Sequence, residues 1–239
     1  MSVKIISVAK KLPKYVKETK EIIPFVKQWM QGQESRFQRK VLKLFEGAGV
    51  DKRYSIMDAE EVFLNTSFEE KNNIYIKEVT KLAEQSLLKS LKKARLQTTD
   101  IDYIVTVSCT GIMIPSVDAY LINSLQMRQD IVRLPVTEMG CVAGISGIIY
   151  AKNFLKSNPN KRAAIVSVEA ATATFQMEDY SMANIVSAAI FGDGAASVIL
   201  SSFEEDEGPI IRDEAMYHFY DSIDICLLYT SDAADDIGR

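Results

Sequence analysis

Residues 133–150 read RLPVTEMGCVAGISGIIY, and most of what can be inferred about this chain follows from them. A short extended segment runs into Cys141, and small and apolar residues follow it. A helix of this composition has almost no polar face, so we expect protein to enclose it on all sides. Gly144 and Gly147 each weaken a helix by up to about 1 kcal/mol relative to alanine. Their use here indicates close approach by another backbone.

Cys141 stands at the start of this predicted helix, and two interpretations of it stay open. The partial positive charge of the unpaired N–H groups there favours a thiolate and lowers the pKa of the thiol. Such a thiolate could attack a thioester and hold an acyl group covalently. Alternatively, Cys141 is a small buried core residue, the usual fate of a free cysteine. The local pattern alone does not choose between the two.

Strands alternate with helices over the rest of the chain, an order typical of an α/β domain with a layered sheet. Apolar runs predict strands at Ile5–Ala9, Ile104–Ser108, Ala163–Val168 and Ala195–Leu200. Helical spacing predicts two helices within Ile22–Phe45, a capped amphipathic helix over Ser67–Ala94 and a helix over Ser116–Leu125. Gly192-Asp193-Gly194 predicts a tight turn with positive φ that joins two strands.

The composition excludes several classes of protein. The 239 residues are 47% hydrophobic and 25% charged, as in an ordinary globular protein. A formal net charge of −4 provides no positive field to attract nucleic acid. The apolar runs are too short to cross a bilayer, and three cysteines without CxxC spacing predict neither a disulfide framework nor a metal site. We therefore expect a cytoplasmic enzyme that binds neither nucleic acid nor membranes.

Four motifs, in the same order, resemble those of type III polyketide synthases, the chalcone-synthase-like family of the thiolase superfamily. They are VSCTGIMIPSVDAYLINSL (107–125), RLPVTEMGCVAG (133–144), SVEAATATF (167–175) and IFGDGAASVIL (190–200). The resemblance implies an α/β, thiolase-like layered sandwich, of which this chain holds the N-terminal half and the start of the second half. On this basis residues 1–200 form the domain that carries the nucleophile, and residues 201–225 begin the C-terminal half.

The resemblance also implies an acyltransferase that makes polyketides. An acyl-CoA starter acylates Cys141, malonyl-CoA loses carbon dioxide, and the resulting enolate attacks the bound thioester. Coenzyme A thioesters are the substrates, and no cofactor or metal is implied. The positions that match substrate-binding residues of the family are Phe191, Thr174, Cys109, Thr110 and Ile114.

The resemblance gives some of these matched positions a specific role in the site, and one of them also has an ordinary structural explanation. Phe191 matches the gate between the coenzyme A tunnel and the reaction cavity, although it could equally be ordinary core packing. Ile114 matches the residue that reaches across a homodimer interface. Plant members usually have methionine there and threonine at the positions of Cys109 and Ala171, so the departures indicate a bacterial-type enzyme.

Basic residues on a predicted helix complete the implied site. Arg36, Arg39 and Lys43 match residues that bind the coenzyme A phosphates, although a solvated helix face explains them equally well. We assign Asp193 a scaffold role and no part in catalysis.

The family's catalytic histidine and asparagine come from its second half, and we do not find them here. The only histidine is His218, in a region that precedes the catalytic one, and we do not assign it that role. Residues 226–239 resemble a translated sequencing adaptor, so we expect a non-native tail on an N-terminal fragment. We expect such a fragment to expose an apolar face and to be inactive alone, and the full-length protein to form a homodimer.

Two alternatives to a type III polyketide synthase stay open. One is a condensing enzyme like β-ketoacyl-(acyl carrier protein) synthase III, which shares the cysteine on a helix and the GDGA motif. The other is a catalytically silent thiolase-fold fragment or dimerising module.

Overall fold

The computed structural model describes residues 2–64 and 67–221, which divide into two compact units. Unit 1 comprises residues 2–12, 75–169 and 194–216, and unit 2 comprises residues 13–64, 67–74, 170–193 and 217–221. The end of the predicted second-half segment, 222–225, and the whole predicted tail, 226–239, lie outside the described residues.

Strands and helices alternate along the chain, as predicted. The strands are β1 (Lys4–Lys11), β2 (Tyr15–Glu18), β3 (Lys52–Ser55), β4 (Tyr103–Val107), β5 (Val132–Val136), β6 (Arg162–Ala170) and β7 (Asp193–Ser201). The α-helices are α1 (Thr19–Trp29), α2 (Ser35–Gly47), α3 (Ala59–Leu64), α4 (Phe68–Ala94), α5 (Val117–Ser124), α6 (Ala143–Ser157) and α7 (Met182–Ile190).

A five-stranded sheet in the order β1-β7-β6-β4-β5 forms the centre of unit 1. β4 runs parallel to β5 and to β6, and β1 runs antiparallel to β7. Every residue of β4 is buried, as expected for a central parallel strand covered on both faces. α6 packs on this sheet, and its apolar residues Ala143, Ala151 and Leu155 join β4 and β6 in one core.

The outer edge of β1 is covered by other parts of unit 1. Residues 209–211 pair with the start of the strand through backbone hydrogen bonds. Further along, the ammonium groups of Lys93 and Lys89 donate to the carbonyl oxygens of Val8, at 2.8 Å, and Lys10, at 3.4 Å. The carbonyl oxygens of Val8 and Lys10, which an edge strand would leave unpaired, therefore have partners here.

Unit 2 is built from the antiparallel pair β2–β3 with α1, α2, α3 and α7. Its core is aromatic: the Trp29 ring stacks on Tyr180 with centroids 5.2 Å apart and meets Phe175 edge-on at 5.0 Å. Phe63 contacts both Trp29 and Phe175. Trp29 is the only tryptophan of the chain and is 6% exposed, so its fluorescence reports on this core.

The predicted elements are confirmed with small shifts at their ends. The four predicted strands correspond to β1, β4, β6 and β7, and the predicted helices to α1 with α2, α4 and α5. The hydroxyl of Ser67 accepts a hydrogen bond from the backbone N–H of Glu70 at 3.2 Å, as the capping motif predicts. None of the helices within residues 2–64 and 67–221 is long and apolar enough to cross a bilayer.

The glycine predictions are wrong. Gly192 and Gly194 do not have positive φ, and their segment joins α7 to β7 rather than two strands. A Cβ at Gly192 would lie 3.3 Å from the carbonyl oxygen of Tyr54, so any side chain there would crowd the backbone of β3. In α6, a Cβ at Gly147 would meet side chains rather than another backbone, and one at Gly144 would meet no described atom within 4 Å.

Candidate functional site

Cys141 is an exposed free thiol in a 3₁₀ turn, Gly140–Val142, that leads directly into α6. Gly140 has a φ of +56°, a left-handed conformation that glycine adopts without the steric cost paid by other residues. This turn follows β5 closely and places the sulfur at the beginning of the helix, which is the predicted position.

The start of α6 favours negative charge at this position. The N-cap residue, Val142, makes no side-chain cap, so the positive end of the helix dipole is available to an anion just before the helix. Complete enclosure of this helix, as predicted from its composition, is wrong. Val142 is 55% and Ile145 62% exposed, which agrees with the expected exposed apolar face.

A second thiol, that of Cys109, lies on the loop that follows β4. The backbone N–H of Cys109 donates to both carboxylate oxygens of Glu169, each at 3.1 Å, and the hydroxyl of Thr110 donates to one of them at 2.7 Å. Partial desolvation and the negative charge of Glu169 raise the pKa of the Cys109 thiol to about 11. Cys141 also contributes to this shift, so the two sulfurs lie within electrostatic range of each other.

Tyr75 on α4 supports the loop that carries Cys109. Its hydroxyl shares a 2.6 Å hydrogen bond with the hydroxyl of Ser108, and burial raises the pKa of Tyr75. The Tyr75 ring also occupies the space beside Gly111, where a Cβ would lie 2.4 Å from the ring. Nothing in the local sequence pattern marks Tyr75 for this contact, because the helix is amphipathic throughout.

Ile114, at the far end of the same loop, is 93% exposed. Together with Ile112, which is 61% exposed, it gives this loop an apolar surface in contact with solvent. Unit 1 contains four of the predicted site residues, namely Cys141, Cys109, Thr110 and Ile114.

Unit 2 contains a cavity of about 120 Å³ whose mostly apolar walls include four phenylalanine rings. A cavity of roughly 150 Å³ holds benzene, so this somewhat smaller cavity is of a size to hold part of a short acyl chain. Two of the predicted substrate-binding residues, Phe191 and Thr174, line it. The residues that line the cavity include Phe45, Phe63, Phe175, Phe191, Thr174 and Arg53.

Arg53 is a buried cation in the wall of this cavity, and sequence reasoning missed it. The residue is 8% exposed, and burial lowers its pKa. Its guanidinium donates to the hydroxyl of Thr19 at 2.8 Å and to the backbone carbonyl of Ala189. Its neighbour on β3, Lys52, is exposed, and no local pattern distinguishes the two.

Asp193 is a buried carboxylate at the start of β7. It is 5% exposed and accepts hydrogen bonds from the backbone N–H groups of Ile56, at 2.8 Å, and Thr172, at 3.0 Å, and from the hydroxyl of Thr172. Burial raises the pKa of Asp193 to about 6. The sequence motif FGDG draws attention to Asp193. Only its hydrogen-bond partners, which are distant in sequence, show which segments it connects.

The predicted coenzyme A residues lie on α2. Arg36, Arg39 and Lys43 are all exposed, and their spacing of three and four places them on one face of the helix. The same helix contributes Phe45 to the cavity wall of unit 2. His218 is exposed, and within residues 2–64 and 67–221 no three His, Cys, Asp or Glu side chains are grouped as a metal site requires.

Comparisons with known proteins agree on one family. Residues 2–203 match the family described as chalcone and stilbene synthases, N-terminal domain. The 1,3,6,8-tetrahydroxynaphthalene synthase of Streptomyces peucetius subsp. caesius is 38% identical over 157 residues, which are 66% of this chain and 41% of that protein. The phloroglucinol synthase of Pseudomonas fluorescens is 29% identical over 175 residues, which are 73% of this chain and 50% of that protein.

A solved structure is similar as well. The crystal structure of 1,3,6,8-tetrahydroxynaphthalene synthase from Streptomyces coelicolor, a bacterial type III polyketide synthase, matches with a TM-score of 0.78 and 28% identity. The match covers 84% of this chain and 57% of that one, and it confirms the predicted α/β, thiolase-like fold. The chain spans about half the length of the curated relatives that it matches.

Proposed function

The chain belongs to the chalcone and stilbene synthase family, and on that basis we propose that it carries the acyl-loading part of a type III polyketide synthase. The observation that carries this proposal is the exposed thiol of Cys141 at the start of α6. The second thiol in range, Cys109, has a pKa of about 11 and is protonated at neutral pH, so Cys141 is the one that reacts.

In the loading step the Cys141 thiolate attacks the carbonyl carbon of an acyl-CoA. The new carbon–sulfur bond forms, the bond to the coenzyme A sulfur breaks, and the departing coenzyme A thiolate takes up a proton. Cys141 directly precedes α6, so the attacking sulfur lies at the positive end of the helix dipole.

For the whole protein we propose that extension follows loading. Malonyl-CoA loses carbon dioxide, and the enolate attacks the thioester on Cys141, which frees the cysteine thiolate. The family resemblance assigns stabilisation of the enolate to a histidine and an asparagine, an oxyanion-hole task. None of the described residues, His218 included, is proposed for it.

We further propose roles for the remaining matched residues. The cavity of unit 2 holds the apolar part of an acyl-CoA substrate, with Phe191 and Thr174 in its walls. Arg36, Arg39 and Lys43 bind the coenzyme A phosphates from α2. Ile114 meets the partner in a homodimer, which its almost complete exposure supports.

Mass spectrometry of the intact chain tests the loading step. We expect incubation with hexanoyl-CoA to add the mass of one hexanoyl group, located by peptide analysis on Cys141. Cys141→Ala must lose this mass, whereas the matched control Cys109→Ala must retain it. Absence of the adduct from the folded wild-type chain, or its presence on another residue, overturns the proposal and favours a silent module.

A second assay separates the two kinds of condensing enzyme. The full-length protein, loaded with an acyl group, is offered malonyl-CoA or a malonyl-carrier protein, and acyl chain extension is followed by mass spectrometry of the products. Extension from malonyl-CoA supports a type III polyketide synthase. Extension only from the carrier protein assigns the chain to the β-ketoacyl-(acyl carrier protein) synthase III class instead.

A further inference from the structure

We propose that Arg53 and Asp193 are positioning residues that fix Phe191 in the wall of the unit 2 cavity and so control how tightly the cavity binds an acyl chain. The inference rests on the acyl-binding role proposed above for this cavity. It gives a function to two buried ionised groups that do not take part in the loading step.

Arg53 holds the chain on the N-terminal side of Phe191. The carbonyl that accepts from its guanidinium belongs to Ala189, two residues before Phe191, in the last turn of α7. The guanidinium also lies over the ring of Phe45 at 5.7 Å, which is another cavity wall. Hydrogen bonds from an ionised donor are about twice as strong as neutral ones, so Arg53 restrains the end of α7 firmly.

Asp193 holds the chain on the C-terminal side of Phe191. Its carboxylate accepts from Ile56, just after β3, and from Thr172, in the 3₁₀ turn Ala171–Thr174. One buried group therefore connects the start of β7 to two other segments of unit 2, and both of these segments contribute residues to the cavity.

The backbone between these two anchors has little freedom to move. The N–H of Phe191 donates to the carbonyl of Ser187 at 2.9 Å. Gly192 packs so closely on β3 that a Cβ would lie 3.3 Å from the Tyr54 carbonyl oxygen. With the backbone fixed on both sides, the point from which the Phe191 ring enters the cavity wall is fixed as well.

A double-mutant cycle tests this inference in the full chain. The probe is the unreactive amide analogue of hexanoyl-N-acetylcysteamine, and the signal is the fluorescence of Trp29, which contacts the cavity residues Phe63 and Phe175. We expect Asp193→Asn to weaken binding about tenfold in the wild-type background but less than about twofold in a Phe191→Ala background. A merely structural role would weaken binding equally in both.

One control and two replacement variants make the cycle decisive. Asp118→Asn alters another fully buried carboxylate, which pairs with Arg133 in unit 1, and should leave probe affinity unchanged. If Asp193→Asn does not fold, Thr172→Val, which removes one hydrogen bond to the same carboxylate, takes its place. If Phe191→Ala binds too weakly to measure, Phe191→Leu supplies the second background.

The outcomes separate this inference from the proposed function. Failure of the probe to bind the folded wild-type chain overturns the acyl-binding role of the cavity and this inference with it. Binding to the wild type with equal weakening in both backgrounds overturns the inference alone. If Asp193→Asn weakens probe binding mainly when the Phe191 ring is present, the inference is supported. Arg53→Lys should show the same dependence on the Phe191 ring.

Discussion

Replacing Asp193 by asparagine should remove a pH-dependent loss of stability from unit 2. Asp193 is 5% exposed, and burial raises its pKa from 3.8 to about 6. One pKa unit corresponds to about 1.4 kcal/mol, so this shift corresponds to about 3 kcal/mol of unfolding free energy.

The sign of this contribution is opposite to that of a salt-bridged aspartate. Below the ordinary pKa of 3.8, Asp193 is protonated in both the folded and the unfolded chain, and its contribution to stability is fully present. As the pH rises through about 6, the folded chain must ionise a buried group that the unfolded chain has already ionised in water. Stability therefore falls by about 3 kcal/mol across this interval and is constant above it.

Asparagine cannot titrate, but it changes the hydrogen bonds. Both carboxylate oxygens of Asp193 accept from donors, namely Ile56 and Thr172. The amide NH₂ of asparagine must face one of these donors, which costs about 1–3 kcal/mol at every pH. We therefore expect the variant to be the less stable protein at pH 4 and to approach or exceed the wild type at pH 7.

Urea denaturation at a series of pH values, followed by Trp29 fluorescence, measures this difference in unit 2. The hydrogen-bond mismatch costs the same at every pH, and the other titrating groups are the same in both proteins. The pH dependence of the difference in unfolding free energy between wild type and variant therefore isolates the titration of Asp193. A difference that stays constant from pH 4 to pH 7 would refute the reasoning.

Two further predictions concern unit 1. Gly111→Ala places a Cβ 2.4 Å from the Tyr75 ring and should cost about 1–3 kcal/mol of unfolding free energy, whereas Gly144→Ala, in open space on α6, should stabilise by up to about 1 kcal/mol. Urea denaturation followed by circular dichroism measures the unfolding free energy of both variants. If Gly111→Ala is no more destabilising than Gly144→Ala, the steric argument is contradicted. Alkylation of Cys109 by iodoacetamide should accelerate about tenfold per pH unit from pH 8 to pH 10, because its pKa is about 11. Glu169→Gln should lower that pKa and speed the reaction at pH 8; peptide mass spectrometry follows it, and a rate that levels off by pH 9 is inconsistent with the raised pKa.

The helices and strands were predictable because their signals are local. The long helix α4 has a capping serine, an apolar stripe and lysines in its last turn, all within its own residues. The position of Cys141 at the start of α6 was predictable for the same reason, since a glycine and a run of small residues are adjacent to it.

The functional detail depends on contacts between residues far apart in the chain. The sequence GDG around Asp193 is typical of a turn. Only the closeness of the Tyr54 backbone shows that Gly192 instead packs tightly on β3. The partners of Arg53, on α1 and α7, are equally invisible to a local pattern. The raised pKa of Cys109 likewise needs Glu169, which arrives from β6.

The covered edge of β1 has a consequence for how the chain behaves at high concentration. Residues 209–211 and the side chains of Lys89 and Lys93 occupy backbone groups that a strand from a second copy would otherwise use. Proteolytic loss of that short segment, or acetylation of the two lysines, would free backbone groups of β1 to pair with a strand of another chain.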